Sequence, residues 1–88
     1  MIAKRFRIIG RVQGVFFRRS ACIQAQKLGL VGWVKNSPDG SVQAYACGDI
    51  GAMRQFESWL NKGPPQSVVA EVFTSDATVE GLSDFFVC

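Results

Sequence analysis

Gly10-Arg11-Val12-Gln13-Gly14-Val15-Phe16-Phe17-Arg18 is where one local pattern stops and another begins. Upstream, Phe6, Ile8 and Gly10 alternate with Arg5, Arg7 and Ile9, the period-two pattern of a half-buried strand ending near Arg11. Downstream, Ala21, Ala25 and Leu28 stand at i, i+4 and i+7, one face of a helix from Arg18 to Leu28, and Gly29 takes the C′ place. The residues between form a short loop that feeds a strand into a helix. Gly14 lets this loop turn successive N–H groups inward, and Val15, Phe16 and Phe17 supply further N–H donors while their side chains enter the core or wall the site. With an arginine at the helix start, N–H groups, a helix N-terminus and a guanidinium converge on one point, which favours an anion, phosphate above all. Arg18 and Arg19 are adjacent, and successive helical residues point about 100° apart, so one of the two is expected to face the loop; spacing does not choose between them. The competing reading is a plain turn with solvated arginines.

The pattern continues outward with Leu30 to Asn36 as a second strand, then Ser37-Pro38-Asp39-Gly40, where Pro presets the turn and Gly closes it. Val42, Ala44 and Ala46 alternate with Gln43, Tyr45 and Cys47, so the second and third strands are expected to form a hairpin. Asp49 reads as the N-cap of a second helix with Met53, Phe56 and Leu60 on its apolar stripe and Trp59 beside it; Gly63-Pro64-Pro65 ends it. Val68 to Thr74 reads as a fourth strand, Ser75 to Gly81 as a polar loop, and Ser83 to Cys88 as a short last strand. The order β-α-β-β-α-β predicts an α+β, ferredoxin-like domain over residues 1–88, with two helices on one face of a mainly antiparallel sheet.

Composition narrows the function. The 88 residues are 48% hydrophobic and 19% charged, with seven Phe and two Trp to bury, so one folded domain is expected rather than disorder. The first 38 residues carry eight Lys and Arg and no acid, whereas the rest carry two against seven, and the net charge is +3. A basic half suits an anionic partner. The absence of His removes histidine bases, phosphohistidine chemistry and His-based metal sites. Cys22, Cys47 and Cys88 are odd in number, without metal-ligand spacing, which suits a reducing compartment. No signal-peptide h-region follows Lys4 and no apolar run approaches the roughly 20 residues of a membrane span, so a cytoplasmic location is expected. Asn36, just before the turn, reads either as an amide bonded to its own backbone or as a donor–acceptor that holds a water molecule.

Taken together, Gly10 to Arg18 and Gly29-Leu30-Val31-Gly32-Trp33-Val34-Lys35-Asn36-Ser37-Pro38-Asp39-Gly40-Ser41-Val42 resemble the two signatures of the acylphosphatase family, and the resemblance covers essentially the whole chain. Phe16 falls in a variable slot of the first signature. The resemblance implies hydrolysis of acyl phosphates to a carboxylate and inorganic phosphate. It implies that Arg18, which ends the first signature, binds phosphate with the N–H groups of Gly14, Val15, Phe16 and Phe17, and that Asn36 orients water. An acyl phosphate releases a carboxylate, a weak base that leaves without an acid's help, so the lack of His is no obstacle. Neither metal nor cofactor is expected, since the acids show no ligand cluster. A cysteinyl-phosphate route is not expected either, because Cys47 precedes Arg54 with six residues between rather than five, and those residues read as helix, not phosphate loop. The expected partners are a small acyl phosphate and inorganic phosphate, as product or inhibitor, with no nucleic acid and no membrane, acting on a monomer. The alternative is a ferredoxin-like module that binds nucleic acid or a phosphate ligand without turnover. The third strand, with Gln43, Ala44, Tyr45 and Ala46, lacks the aromatic-rich pattern of such RNA binders.

Overall fold

A computed structural model describes all 88 residues. Its elements are β1 (Ile2–Arg11), α1 (Phe17–Lys27), β2 (Val31–Asn36), β3 (Val42–Gly48), α2 (Ile50–Lys62), β4 (Val68–Ala77) and β5 (Phe85–Val87). The sheet order is β4-β1-β3-β2-β5, antiparallel except where β5 runs parallel to β2. This is the expected ferredoxin-like arrangement, extended at one edge by β5.

The alternation in β1 and β3 sends Phe6, Ile8, Val42, Ala44 and Ala46 to one face, where they meet Ala21 and Ala25 of α1 and Met53, Phe56 and Leu60 of α2. Phe56 stands edge-on to both Phe6 and Phe85, with ring centroids 5.9 Å apart in each pair. Phe85 thus anchors the short β5 to the core. On the opposite face Tyr45 is fully buried, because its hydroxyl accepts from the Glu80 N–H and donates to the Thr78 carbonyl. The 78–82 segment therefore covers the middle of that face.

Four elements differ in extent from the sequence reading. The first helix starts at Phe17 and ends at Lys27, one residue earlier at each end. The last strand contains only Phe85 to Val87, and β2 starts at Val31. β4 continues through Ser75, Asp76 and Ala77, which pair with Arg5, Lys4 and Ala3 of β1. These residues are polar or small, but a long partner strand satisfies their backbone, and that pairing overrides their local preference for loop.

At one end of the sheet four strand ends meet. Arg11 of β1 pairs with Val68 at the start of β4, and both Ile8 of β1 and Asn36 of β2 pair with Val42 at the start of β3. The β1–α1 loop emerges here. Asn36 lies to one side of it in the sheet order, and the 64–67 segment leading into β4 lies to the other.

Candidate active site

The loop between β1 and α1 is held from below by its apolar residues. Val12, Val15 and Phe17 are all buried, and the Phe17 ring packs 5.5 Å from Trp59. Their burial turns the intervening backbone outward. Gly14 takes φ 74°, and Phe16 takes φ 62° in the left-handed region, the only non-glycine residue to do so. For a residue with a Cβ that conformation costs about 1–2 kcal/mol. None of the N–H groups from Gly14 to Arg19 donates to an acceptor within the protein. α1 has no side-chain cap and no acid in its first turn, whereas Asp49 caps α2 by accepting from the N–H groups of Gly51 and Ala52. The N-terminus of α1 is thus left with its positive end and donors directed at the loop.

A cavity of about 290 Å³ opens at this point. Gly14, Phe16, Phe17, Arg18 and Arg19 line it from the loop and helix, and Asn36 and Val87 line it from the strand ends. The structure therefore brings together the loop, Arg18 and Asn36. Val15 is the exception: it is buried and does not line this cavity, bordering instead the neighbouring groove beside Phe16 and Pro64. The expectation that only one of the paired arginines would face the loop is corrected. Both line the cavity, because the helix begins at Phe17 and both lie in its first, open turn. They differ in support. Arg18 is half-buried and its Nη1 donates to the Cys88 carbonyl at 2.7 Å, while Arg19 is exposed. Neither pairs with an Asp or Glu side chain; the two side-chain ion pairs are Arg5–Glu80 and Arg7–Asp39.

Asn36 ends β2 with its amide unengaged by the protein. The adjacent turn is held by Asp39 instead, whose carboxylate accepts from both the N–H and the hydroxyl of Ser41. Those two bonds, with the Arg7 guanidinium beside it, hold the Asp39 carboxyl below the usual carboxylate range. Asp39 thus does the turn's bonding, and Asn36 remains free for a ligand.

One residue of this site escaped the sequence reading. The Gln13 amide nitrogen donates to the carbonyls of Ser37 and Ser41, at 2.8 and 2.9 Å. It ties the loop to the turn that carries Asn36, across 24 residues of sequence. The available signal was a polar residue set between Val12 and Val15 in a loop too short to hide it. Gln13→Ala is expected to cost about 1 kcal/mol of stability, since both carbonyls keep one other partner. It should also lower kcat more than phosphate affinity by loosening Asn36. Urea unfolding together with steady-state kinetics checks this; a stability loss with kcat intact would deny Gln13 a positioning role.

Cys47 is buried away from the cavity, and burial together with the nearby Asp84 carboxylate pushes the Cys22 thiol up, away from thiolate. No group of three or more Cys, Asp or Glu residues gathers with metal-binding geometry.

The profile of the Acylphosphatase family matches residues 4–87. An acylphosphatase of Azoarcus sp. is 47% identical over 77 residues, covering 88% of this chain and 79% of the relative. The crystal structure of an acylphosphatase from Bacillus subtilis superimposes with a TM-score of 0.97 at 36% identity, covering 100% of this chain and 99% of that one. An acylphosphatase structure from Coxiella burnetii gives 0.96 at 41% identity, covering 99% and 92%.

Proposed function

Because the chain belongs to the acylphosphatase family and hydrolyses acyl phosphates, we propose that the cavity at the α1 N-terminus is where it does so. The observation that supports this most is the run of six N–H donors from Gly14 to Arg19, unengaged by the protein, beside a guanidinium and facing Asn36. The N–H groups of Gly14, Val15, Phe16 and Phe17 and the fork of Arg18 hold the phosphoryl oxygens. As the bond to the acyl oxygen breaks, charge spreads over those oxygens, and the same donors, already oriented, stabilise it. Asn36, with one group that donates and one that accepts, holds the attacking water in line with the departing carboxylate. The carboxylate leaves unprotonated. The cavity is lined by no carboxylate, thiol or imidazole, so the water's proton passes to a phosphoryl oxygen of the substrate.

The substrate is a small acyl phosphate, and inorganic phosphate, which fits the same cradle, acts as product inhibitor. The donor set is cationic, so the reaction needs no metal. On the helix-free face of the sheet, Arg5 engages Glu80 and lies over the Trp33 ring, and Arg7 engages Asp39. With those cations internally engaged, we assign no nucleic-acid partner and take the enzyme as a monomer. Its three unpaired cysteines suit the cytoplasm.

This mechanism has a pH signature. With no titrating side chain in the cavity, kcat/KM should show no inflection from the enzyme between about pH 5 and pH 8, apart from that of the substrate's own phosphoryl group. Rates measured across that range with excess chelator should equal those without it. A limb that moves with the enzyme rather than the substrate, or a rate lost to chelator, would contradict the assignment.

A further inference from the structure

Phe16 combines two costs that the fold does not recover. It is a bulky residue in the left-handed region, and it is 76% exposed. Strain of this kind persists where the site uses it. The conformation sets the ring on the partition between two spaces. On one side is the phosphate cavity; on the other is a groove of about 260 Å³, bounded by Phe16, Ser20, Pro64 and Pro65. That groove runs on, sharing Ser20, Pro64 and Pro65, into a larger one of about 580 Å³ floored by Trp59 and the exposed Ile23.

The direction of the reaction points the same way. In-line displacement places the leaving group opposite the attacking water. Asn36 lies on one side of the β1–α1 loop in the sheet order, and the segment carrying Pro64 and Pro65 lies on the other. Water held by Asn36 therefore drives the acyl group toward the prolines. The wall there is preformed. Two consecutive prolines restrict the backbone, and Ser67 closes it by donating both its N–H and its hydroxyl to the Pro64 carbonyl, at 3.0 and 2.7 Å.

We propose that Phe16 and Pro65 form an acyl-group subsite, which selects acyl phosphates with aromatic or extended apolar acyl groups over acetyl phosphate. This rests on the placement of the phosphoryl group among the loop, Arg18 and Asn36. The acyl carbonyl leaves the cradle past the Phe16 ring, and the apolar group lies between that ring and Pro65. Longer chains continue toward Trp59.

The test compares kcat/KM for benzoyl phosphate with that for acetyl phosphate, in the wild type, Phe16→Ala and Pro65→Ser. Taking the ratio of the two substrates within each protein, and then comparing proteins, cancels the intrinsic reactivity of the substrates and any general disturbance of the loop. The ratio should fall about tenfold in Phe16→Ala, mainly through KM for benzoyl phosphate, and about threefold in Pro65→Ser. A ratio within twofold of wild type in both variants overturns the subsite, and a fall confined to Phe16→Ala overturns the groove as its other wall. Arg18→Ala is assayed in parallel on acetyl phosphate. If it is inactive while the ratios stay flat, the phosphoryl site stands and the subsite alone fails. If it is fully active, the phosphoryl placement fails and the subsite with it.

Discussion

Arg18→Ala should lower kcat/KM for an acyl phosphate by about a thousandfold or more, the scale on which a guanidinium stabilises a phosphoryl-transfer transition state. The substitution removes the forked donor but leaves the helix N-terminus and the loop N–H groups. Inorganic phosphate should therefore still bind, with its inhibition constant raised about tenfold to a hundredfold. Arg18→Lys should recover only a small part of the rate, because an ammonium supplies a point charge without the planar fork. Arg19→Ala is the informative control. Arg19 lines the same cavity but is exposed and not held by the Cys88 carbonyl, so its removal should cost less than about tenfold, as befits a solvent-screened charge. The fold should survive each change, since neither side chain is in the core. Steady-state assays with thermal unfolding check this; more than a tenth of wild-type activity in Arg18→Ala would remove Arg18 from the mechanism.

Asn36→Ala should reduce kcat by about a hundredfold, with KM and the phosphate inhibition constant changed less than about threefold. The asymmetry follows from position. Asn36 faces the cradle from the end of β2 and contributes nothing to holding the loop, which Gln13 ties to the carbonyls of Ser37 and Ser41. Nor does Asn36 hold the turn, a task that falls to Asp39. Loss of its amide leaves the phosphoryl group bound and the water unplaced. Equal losses in kcat and in phosphate affinity would make Asn36 a phosphate ligand instead.

The hydrogen bonds at Asp39 also show why the local sequence favours an Asn36 bonded to its own backbone and the structure does not. An Asn before a Pro-Asp-Gly turn bonds its own backbone unless a neighbour does so first. Which of them takes the bonds depends on Ser41 approaching Asp39, a contact made only once the hairpin closes. The arginine pair is a similar case. A spacing of about 100° holds within a helix, but both residues sit in the open first turn, where the cavity spans the helix end.

What the sequence determined by itself was local. The alternation around Phe6 and Ile8, the Pro-Asp-Gly turn, the Asp49 cap and the glycine-containing loop before Arg18 each act over a few residues. Their causes are steric and short-range, so they survive without knowledge of the fold. The two long signatures then identified the family. Tertiary structure alone decided what crosses the chain: Gln13 bridging to the turn, β4 extended to Ala77 by pairing with β1, Tyr45 sealed by the 78–82 segment, and Phe16 and Pro65 bordering one groove. These depend on which strands lie side by side. That order is set by burying one shared core, an energy spread over residues far apart in sequence, and no local window contains it.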